Sequence, residues 1–509
     1  LKEKYGTLEN LNRAMGTTFW NQTYTDWEQV HLSRYTLANS NNPHMMLEEK
    51  RFISEAAINY IGIQADIIRK YRRPEQFITT NGLFGVLDNH KLVKEKLDFM
   101  TYDSYPNFAF AMEGSKLSPR SLRDRETSFN LAKTRSVSNR FGIMEQQSGP
   151  GGWNTRLLQP APKPGQLRLW TFQSIAHGAD FVSYFRWRTA TVGTEIYWHG
   201  LHDYDNRENR RVRELIQTAE TVKKISPYVT GQLFRAPIAI LIDYDNEWDG
   251  ENDIWHGPLR EKSMDGLFCA LQKTHIPYDL VNLREDVTPE DLARYQVAFY
   301  PHSTIFTKRQ KEVLEKAVEM GLTLLFGCRS GYKDETGRCY TMPMPGYVGE
   351  LTGCQVEEYT YVSHFDTEVC IAWQDKQAGA REFHDVLEVT DGQVEAVFSG
   401  RGCHYDGKPA IVSKKTGKGC AYYVGTIFTE ELARMIVETM ELTKLSPAYG
   451  EIKLPETVEL CRRGDVTFLL NYEETPARIC LKERKIDLLT GEEVQGEEEI
   501  PARDVKILK

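Results

Sequence analysis

The chain has 509 residues, enough for two to four domains at roughly 100–200 residues each. Hydrophobic residues make up 40% and charged residues 27%, which excludes a disordered or fibrous chain. The net charge of −9 argues against a surface built to hold phosphate backbones, and no stretch approaches the roughly 18–20 apolar residues of a membrane span.

The opening LKEKYGTLENLNRAMG reads as a loop leading into a helix. Leu1 is not an initiator Met, and no basic segment precedes an apolar core, so the start is no signal peptide and the chain is expected to lack its beginning. Residues 45–73 carry helical spacing through Met46, Phe52, Ile53, Ala57, Tyr60, Ile61, Ile67 and Ile68, with Pro74 as the stop. Strands predicted at 77–81, 98–107, 140–146 and 180–188 alternate with helices over 120–135 and 168–178, the latter ended by Gly178. That alternation predicts βα units and a parallel sheet. Functional side chains gather at the carboxyl ends of these strands: Asn81, Asp103, Tyr105, Glu145, Arg186 and Trp187. In a parallel α/β barrel that end is the catalytic face. Four strands are half of the eight such a barrel needs, so the pattern reads as the C-terminal half of a (β/α)₈ barrel.

After a helix over 207–226 the composition shifts. RAPIAILIDYD (235–245) is a buried strand with an acidic end; strands at 278–283, 296–301 and 323–327 and a helix at 307–320 follow. With 417–426 and a helix over 429–443 they form a second, doubly wound α/β unit. Alternation and turn signals in the last segment predict a small β-sandwich. The expected domains are therefore 1–230, 235–445 and 450–509. Nine cysteines, all at or beyond Cys269 and none in a CxxC pair, exclude a disulfide scaffold, argue against a thiolate zinc site and fit a reducing cytoplasm.

The strongest chemical signal is FGIMEQQSGPGGWN (141–154). Glu145 ends an apolar strand, Gly149, Gly151 and Gly152 let a ligand approach, and Trp153 offers a flat face. Sugars need both a carboxylate for the anomeric centre and an aromatic platform; the plainer alternative is a strand-end Glu in a surface salt bridge. In 176–205, Phe185, Trp187, Glu195, Tyr197, Trp198 and His199 crowd a strand end, which suits a sugar pocket or a core of packed aromatics, and carries too few basic residues for nucleic acid. His199, His202, Asp203 and Asp205 could instead be metal ligands. Asp245, Glu247, Asp249 and Gly250 imitate a calcium loop, but His256 stands where its bidentate Glu is required, so the stretch reads as an acidic loop whose Trp248 and Trp255 suit an interface. No GxSxG, Walker or dinucleotide-binding loop occurs, so no cofactor is expected.

At KYGTLENLNRAMGTTFWNQTYTDWEQV (4–30), TTNG (79–82), YDSYP (102–106), FGIMEQQSGPGGWN (141–154) and QSIAHGADFVSYFRWR…GTE (173–195) the chain resembles glycoside hydrolase family 42, the bacterial β-galactosidases. The strand at 236–248 looks like the start of that family's trimerisation domain, and the C-terminal β segment is similar in position. The resemblance implies a retaining mechanism on a (β/α)₈ barrel, a galactoside or oligosaccharide substrate, and a homotrimer with contacts from 236–425 and with Trp248 or Trp255 walling a neighbour's site; no nucleic-acid or membrane partner is expected. It gives Glu145 the nucleophile position and Trp20, Tyr105, Trp153, Phe185 and Glu195 substrate contacts. The family pattern expects a His three residues after Glu195, where this chain has Trp198, so either His199 takes that role or Trp198 replaces it. The family's acid/base Glu, and its zinc-binding cysteines, are implied to lie upstream of the KYGT segment, so neither is assigned here. A β-glucosidase or α-L-arabinopyranosidase on the same barrel, and a non-catalytic carbohydrate-binding or assembly protein, are the rival expectations.

Overall fold

The computed structural model describes residues 1–34, 41–83, 85–106, 122–153, 159–253, 257–362, 368–401 and 403–509. The N-terminal unit opens with short helices and then the long helix α1 (Pro43–Tyr71). Asn42 caps it by accepting from the His44 and Met45 amides, Pro43 fills the first turn where its missing N–H costs nothing, and the chain leaves the helix at Arg72, before Pro74. One face buries Leu47, Ile58 and Ala65; Phe52, Tyr60, Ile63, Ile67 and Tyr71 remain exposed.

Three parallel strands carry the candidate chemistry: β1 (Thr101–Ser104), β2 (Phe141–Gln147) and β3 (Ala179–Phe185), in the order β1-β2-β3. Helices α2 (Thr127–Val137) and α3 (Gln166–Ala176) connect them, and α4 (Arg210–Val229) follows. The strand expected at 77–81 is reduced to one parallel bridge, Asn81 to Thr101. Side chains take over part of the ladder there: the Ile78 amide donates to Asp98 Oδ2, and Thr79 Oγ1 donates to the Phe99 carbonyl.

The central unit is a nine-stranded sheet. Strands β4 (Ile238–Ile242), β5 (Tyr278–Asn282), β6 (Val297–Tyr300) and β7 (Thr323–Phe326) are parallel and stand in the order β5-β4-β6-β7, so the winding reverses at β4. This is the doubly wound pattern, with apolar strands covered on both faces. The β8 (Cys354–Tyr361) and β11 (Phe383–Val389) strands form a separate pair; β9 (Cys370–Trp373), β10 (Lys376–Gly379), β12 (Gln393–Ser399), β13 (Pro409–Thr416) and β14 (Gly419–Val424) complete the large sheet, with β14 parallel to β7. The expected acidic loop is instead a helix, α5 (Tyr244–Glu251). Asp243 caps it by accepting from the Asn246 amide, and Asp245 and Glu247 sit in the first turn, where the helix dipole favours negative charge. Its carboxylates are engaged with cations, Asp245 with Arg51 at 2.7 Å and Asp249 with Lys333 at 2.8 Å, which removes the calcium-like reading. Trp248, expected at an interface, is buried against Leu47 and Ile305. Trp255 and His256 lie outside the described residues.

The last segment forms two three-stranded sheets around one core, β15 (Ile452–Lys453), β18 (Ala477–Ile486) and β19 (Glu493–Ile500) against β16 (Val458–Arg463), β17 (Val466–Asn471) and β20 (Asp504–Leu508). A buried polar knot joins all three units. Glu459 of β16 accepts from Tyr472 at 2.6 Å, Ser128 of α2 at 2.9 Å, and His177 and Gln272 at 3.0 Å each. Arg125 is fully buried beside it and donates to Gln272 Oε1 at 2.7 Å. Among the described residues no helix is long and apolar enough to cross a membrane.

Candidate active site

The parallel register of β1 and β2 sets Asp103 beside Glu145, with a bulge between Tyr102 and Asp103. The bulge and the strand end direct Tyr105 back over β2, where its hydroxyl donates to Glu145 Oε2 at 2.6 Å. Burial, then the Glu145 hydrogen bond and charge, push the Tyr105 phenol far up, so it stays a donor at any working pH. Ser148 Oγ donates to the Phe185 carbonyl at 2.6 Å and Gln146 Nε2 to the Ser104 carbonyl at 3.1 Å, tying the three strand ends together.

The glycine-rich turn after β2 is packed, not merely open. Gly151 has φ 96° and bridges to both Gln159 and Trp198. A Cβ there would lie 1.8 Å from the Tyr197 carbonyl oxygen, so only glycine fits. This close approach brings the segment around Trp198 against the strand ends. The buried Trp198 ring then meets Tyr105 at 5.2 Å, Trp153 at 5.4 Å and Phe185 at 6.1 Å. Trp153 Nε1 donates to Glu195 Oε1 at 3.4 Å. Arg186 holds the same loop from below, donating to the Glu195 carbonyl at 2.8 Å and facing its carboxylate at 3.4 Å.

Tyr105, Glu145, Trp153, Phe185 and Glu195 are thus brought together. His199 packs against the glycine-rich turn, its Cδ2 3.1 Å from where a Cβ on Gly151 would stand, whereas Trp20 makes none of these contacts among the described residues. Trp20 is 64% exposed on a turn with φ 55°, and its ring meets Phe19 at 5.2 Å. His199 turns toward Tyr204, at 5.4 Å between rings, and Asp203, at 3.7 Å. Trp198 therefore takes the wall position beside Tyr105. Three residues that the sequence reading placed near strand ends without a role also join the site: Arg186, Asn81 and Asp103. Asn81 Nδ2 donates to Asp103 Oδ2 at 2.6 Å, while Asp103 Oδ1 is buried and accepts no hydrogen bond among the described residues. Burial pushes the Asp103 carboxyl up to about 6; the Asn81 bond opposes this and the Glu145 charge adds to it. Their signal in the sequence was strand-end position alone, which does not say which way a side chain points.

The metal reading of His199, His202, Asp203 and Asp205 does not assemble. His202 Nδ1 faces the Arg207 carbonyl at 3.1 Å, Asp205 pairs with Arg207 at 2.7 Å, and Asp203 with Arg211 at 2.8 Å. Among the described residues the donor set close enough for an ion is His177, Glu459 and Cys461, inside the polar knot. There Arg135 donates to His177 Nδ1 at 3.2 Å, which leaves Nε2 carrying the proton that goes to Glu459. A protonated Nε2 does not ligate a metal.

Three family models cover the chain: one described as β-galactosidase over residues 1–225, one as the β-galactosidase trimerisation domain over 236–444, and one as the β-galactosidase C-terminal domain over 457–509. The chain is 35% identical over 491 residues to β-galactosidase BgaA of a Thermus species, covering 93% of this chain and 70% of that one. It is 33% identical over 474 residues to β-galactosidase BgaA of Clostridium cellulovorans, covering 90% and 67%. Among solved structures, the family 42 β-galactosidase Gan42B superposes with a TM-score of 0.88 at 26% identity, over 100% of this chain and 74% of that one. The β-galactosidase of Bacillus circulans sp. alkalophilus gives 0.87 at 26%, over 100% and 75%.

Proposed function

The chain belongs to glycoside hydrolase family 42, the β-galactosidases, and from that premise we propose that it carries the nucleophile half of a retaining β-galactosidase active site. The observation that carries this reading is Glu145 at the end of β2, with the Tyr105 hydroxyl on one carboxylate oxygen at 2.6 Å and an aromatic wall alongside. Tyr105 leaves the other oxygen to attack the anomeric carbon of a terminal β-D-galactose. The glycosidic bond breaks as the Glu145 ester forms. A second carboxyl, which the resemblance places on a barrel strand ahead of the opening segment, protonates the leaving oxygen and then activates water, at the roughly 5–5.5 Å separation of retaining enzymes. Trp153 and Trp198 face the apolar side of the sugar, and Glu195, oriented by Trp153 and Arg186, accepts from its hydroxyls.

The half-barrel reading is supported by the three-stranded parallel sheet and by the bare apolar face of α1, which a neighbouring barrel element would cover. The match of residues 236–444 to a trimerisation domain supports a homotrimer. One observation favours a broadened specificity: Trp198 presents an apolar wall where the family pattern has a His, so hydroxyl recognition there is weakened and α-L-arabinopyranosides become competitive substrates. The test of the main reading is covalent trapping with 2,4-dinitrophenyl 2-deoxy-2-fluoro-β-galactoside, whose good leaving group needs no acid. A peptide map that puts the label on any residue other than Glu145 overturns the assignment. Initial rates on p-nitrophenyl β-galactoside, β-glucoside and α-L-arabinopyranoside test the specificity.

A further inference from the structure

We propose that Asp103 works through Glu145 as a charge-compensating neighbour: it gives up its proton when Glu145 becomes esterified and takes it back when the ester is hydrolysed. This rests on the reading of Glu145 as nucleophile.

Strand register sets the two carboxyls beside each other. Neighbouring strands lie about 4.8 Å apart, and paired residues project on the same face, so Asp103 and Glu145 are two carboxyls held side by side by the backbone. Neither can swing far. Asp103 is held by Asn81, itself fixed by its bridge to Thr101, and Glu145 by Tyr105. The remaining oxygen of Asp103 is buried without a hydrogen-bond partner among the described residues. A carboxylate oxygen in that state is costly, and a protonated one is much less so.

The titratable groups around Asp103 are few. On its own strand is Tyr102, whose phenol burial pushes up to about 12, and just past the strand end stands Tyr105, raised further. On β2 there is Glu145, and from the 77–81 segment the neutral Asn81. Glu195 stands beyond Tyr105 and is paired with Arg186. Among the described residues no cation forms an ion pair with Asp103; burial is the largest influence on its carboxyl, and the charge that adds to it is that of Glu145. Both its burial and that charge favour the acid form, consistent with its value of about 6.

Glycosylation removes that charge. The Glu145 oxygen bonds to the anomeric carbon, the bond to the aglycone oxygen breaks, and the electron pair leaves with the aglycone. The ester is neutral, so Asp103 loses its anionic neighbour and its proton passes to solvent. The galactosyl-enzyme then holds a fresh carboxylate beside the ester, where positive charge develops at the anomeric carbon during the second step. Hydrolysis restores the Glu145 carboxylate, and Asp103 recovers its proton.

A dinitrophenyl donor isolates the proton, because dinitrophenolate departs as an anion and neither takes up nor releases one. With the 2-deoxy-2-fluoro donor and a pH indicator, labelling at pH 6 should release a measurable fraction of a proton per labelled site, and at pH 8 almost none. The Asp103→Asn variant should still label but release none. Labelling of the wild-type chain at pH 6 without proton release overturns the proposal, as does equal release from Asp103→Asn. A failure to label at all overturns the Glu145 reading and this proposal with it. Carboxyl-carbon NMR gives a measurement that needs no turnover: the Asp103 titration midpoint should fall clearly in Glu145→Gln, and an unchanged midpoint overturns the proposal.

Discussion

Two glutamates in this molecule each lie 2.6 Å from a tyrosine hydroxyl and differ in what else surrounds them. Glu459 is buried in the knot between the three units and accepts four hydrogen bonds, from His177, Ser128, Gln272 and Tyr472. Burial alone would raise its carboxyl, but its interaction with His177, the charge of Arg125 and the bond from Tyr472 outweigh that and hold it at about 2. Glu145 is only partly buried, and among the described residues its one hydrogen bond is from Tyr105. The difference is spare capacity. A carboxylate whose lone pairs are all taken locks a junction; one with an oxygen left over can form a bond to something that arrives.

The largest expected effect tests that contrast on the open side. Glu145→Gln should lower kcat by several orders of magnitude on galactosides while leaving the thermal midpoint unchanged, since no group replaces a missing nucleophile. A parallel loss of thermal stability would make Glu145 a structural residue like Glu459. On the closed side, Glu459→Gln should destabilise the fold by about 3–5 kcal/mol, because Arg125 then stays buried without its anion and the bonds from His177, Ser128 and Tyr472 lose a charged acceptor. Urea unfolding monitored by fluorescence measures it, and a change below about 1 kcal/mol would show that the knot is dispensable.

Acid should act on the knot next. Glu459 is held below its ordinary value, so the stability it contributes is complete above about 4.5 and is lost as pH falls toward about 2. His177 is also held low, chiefly by burial, so below about 6.5 the unfolded chain takes a proton that the folded one refuses, and stability falls in the same direction. Unfolding free energy should therefore decline from pH 6.5 downward, and the part of the decline below pH 4.5 should flatten in Glu459→Gln. The smallest effect belongs to the aromatic wall: Trp153→Phe removes the bond to Glu195 but keeps a ring against Trp198, and should weaken galactoside affinity by about 0.5–1.5 kcal/mol, read as KM at nearly constant kcat.

The sequence by itself determined the period of each element and the chemical character of the site. The apolar run before Glu145, the glycines after it and the order of strands and helices are local features, and local sterics and hydrophobic period decide them. Two segments depart from that pattern: 77–81 pairs with the chain at 98–101 through a few backbone bonds mixed with side-chain ones rather than as a regular strand, and the acidic residues at 244–251 form the first turns of a helix rather than a loop. Only the tertiary structure decided which of two adjacent residues, Trp198 or His199, faces Tyr105, that Trp248 is core, and that Asp103 stands beside Glu145. Those outcomes depend on strand register and on backbone approach at Gly151, set by contacts between residues far apart in the chain. A shift of one residue in register turns a side chain to the other face, and nothing in its local sequence reports the shift.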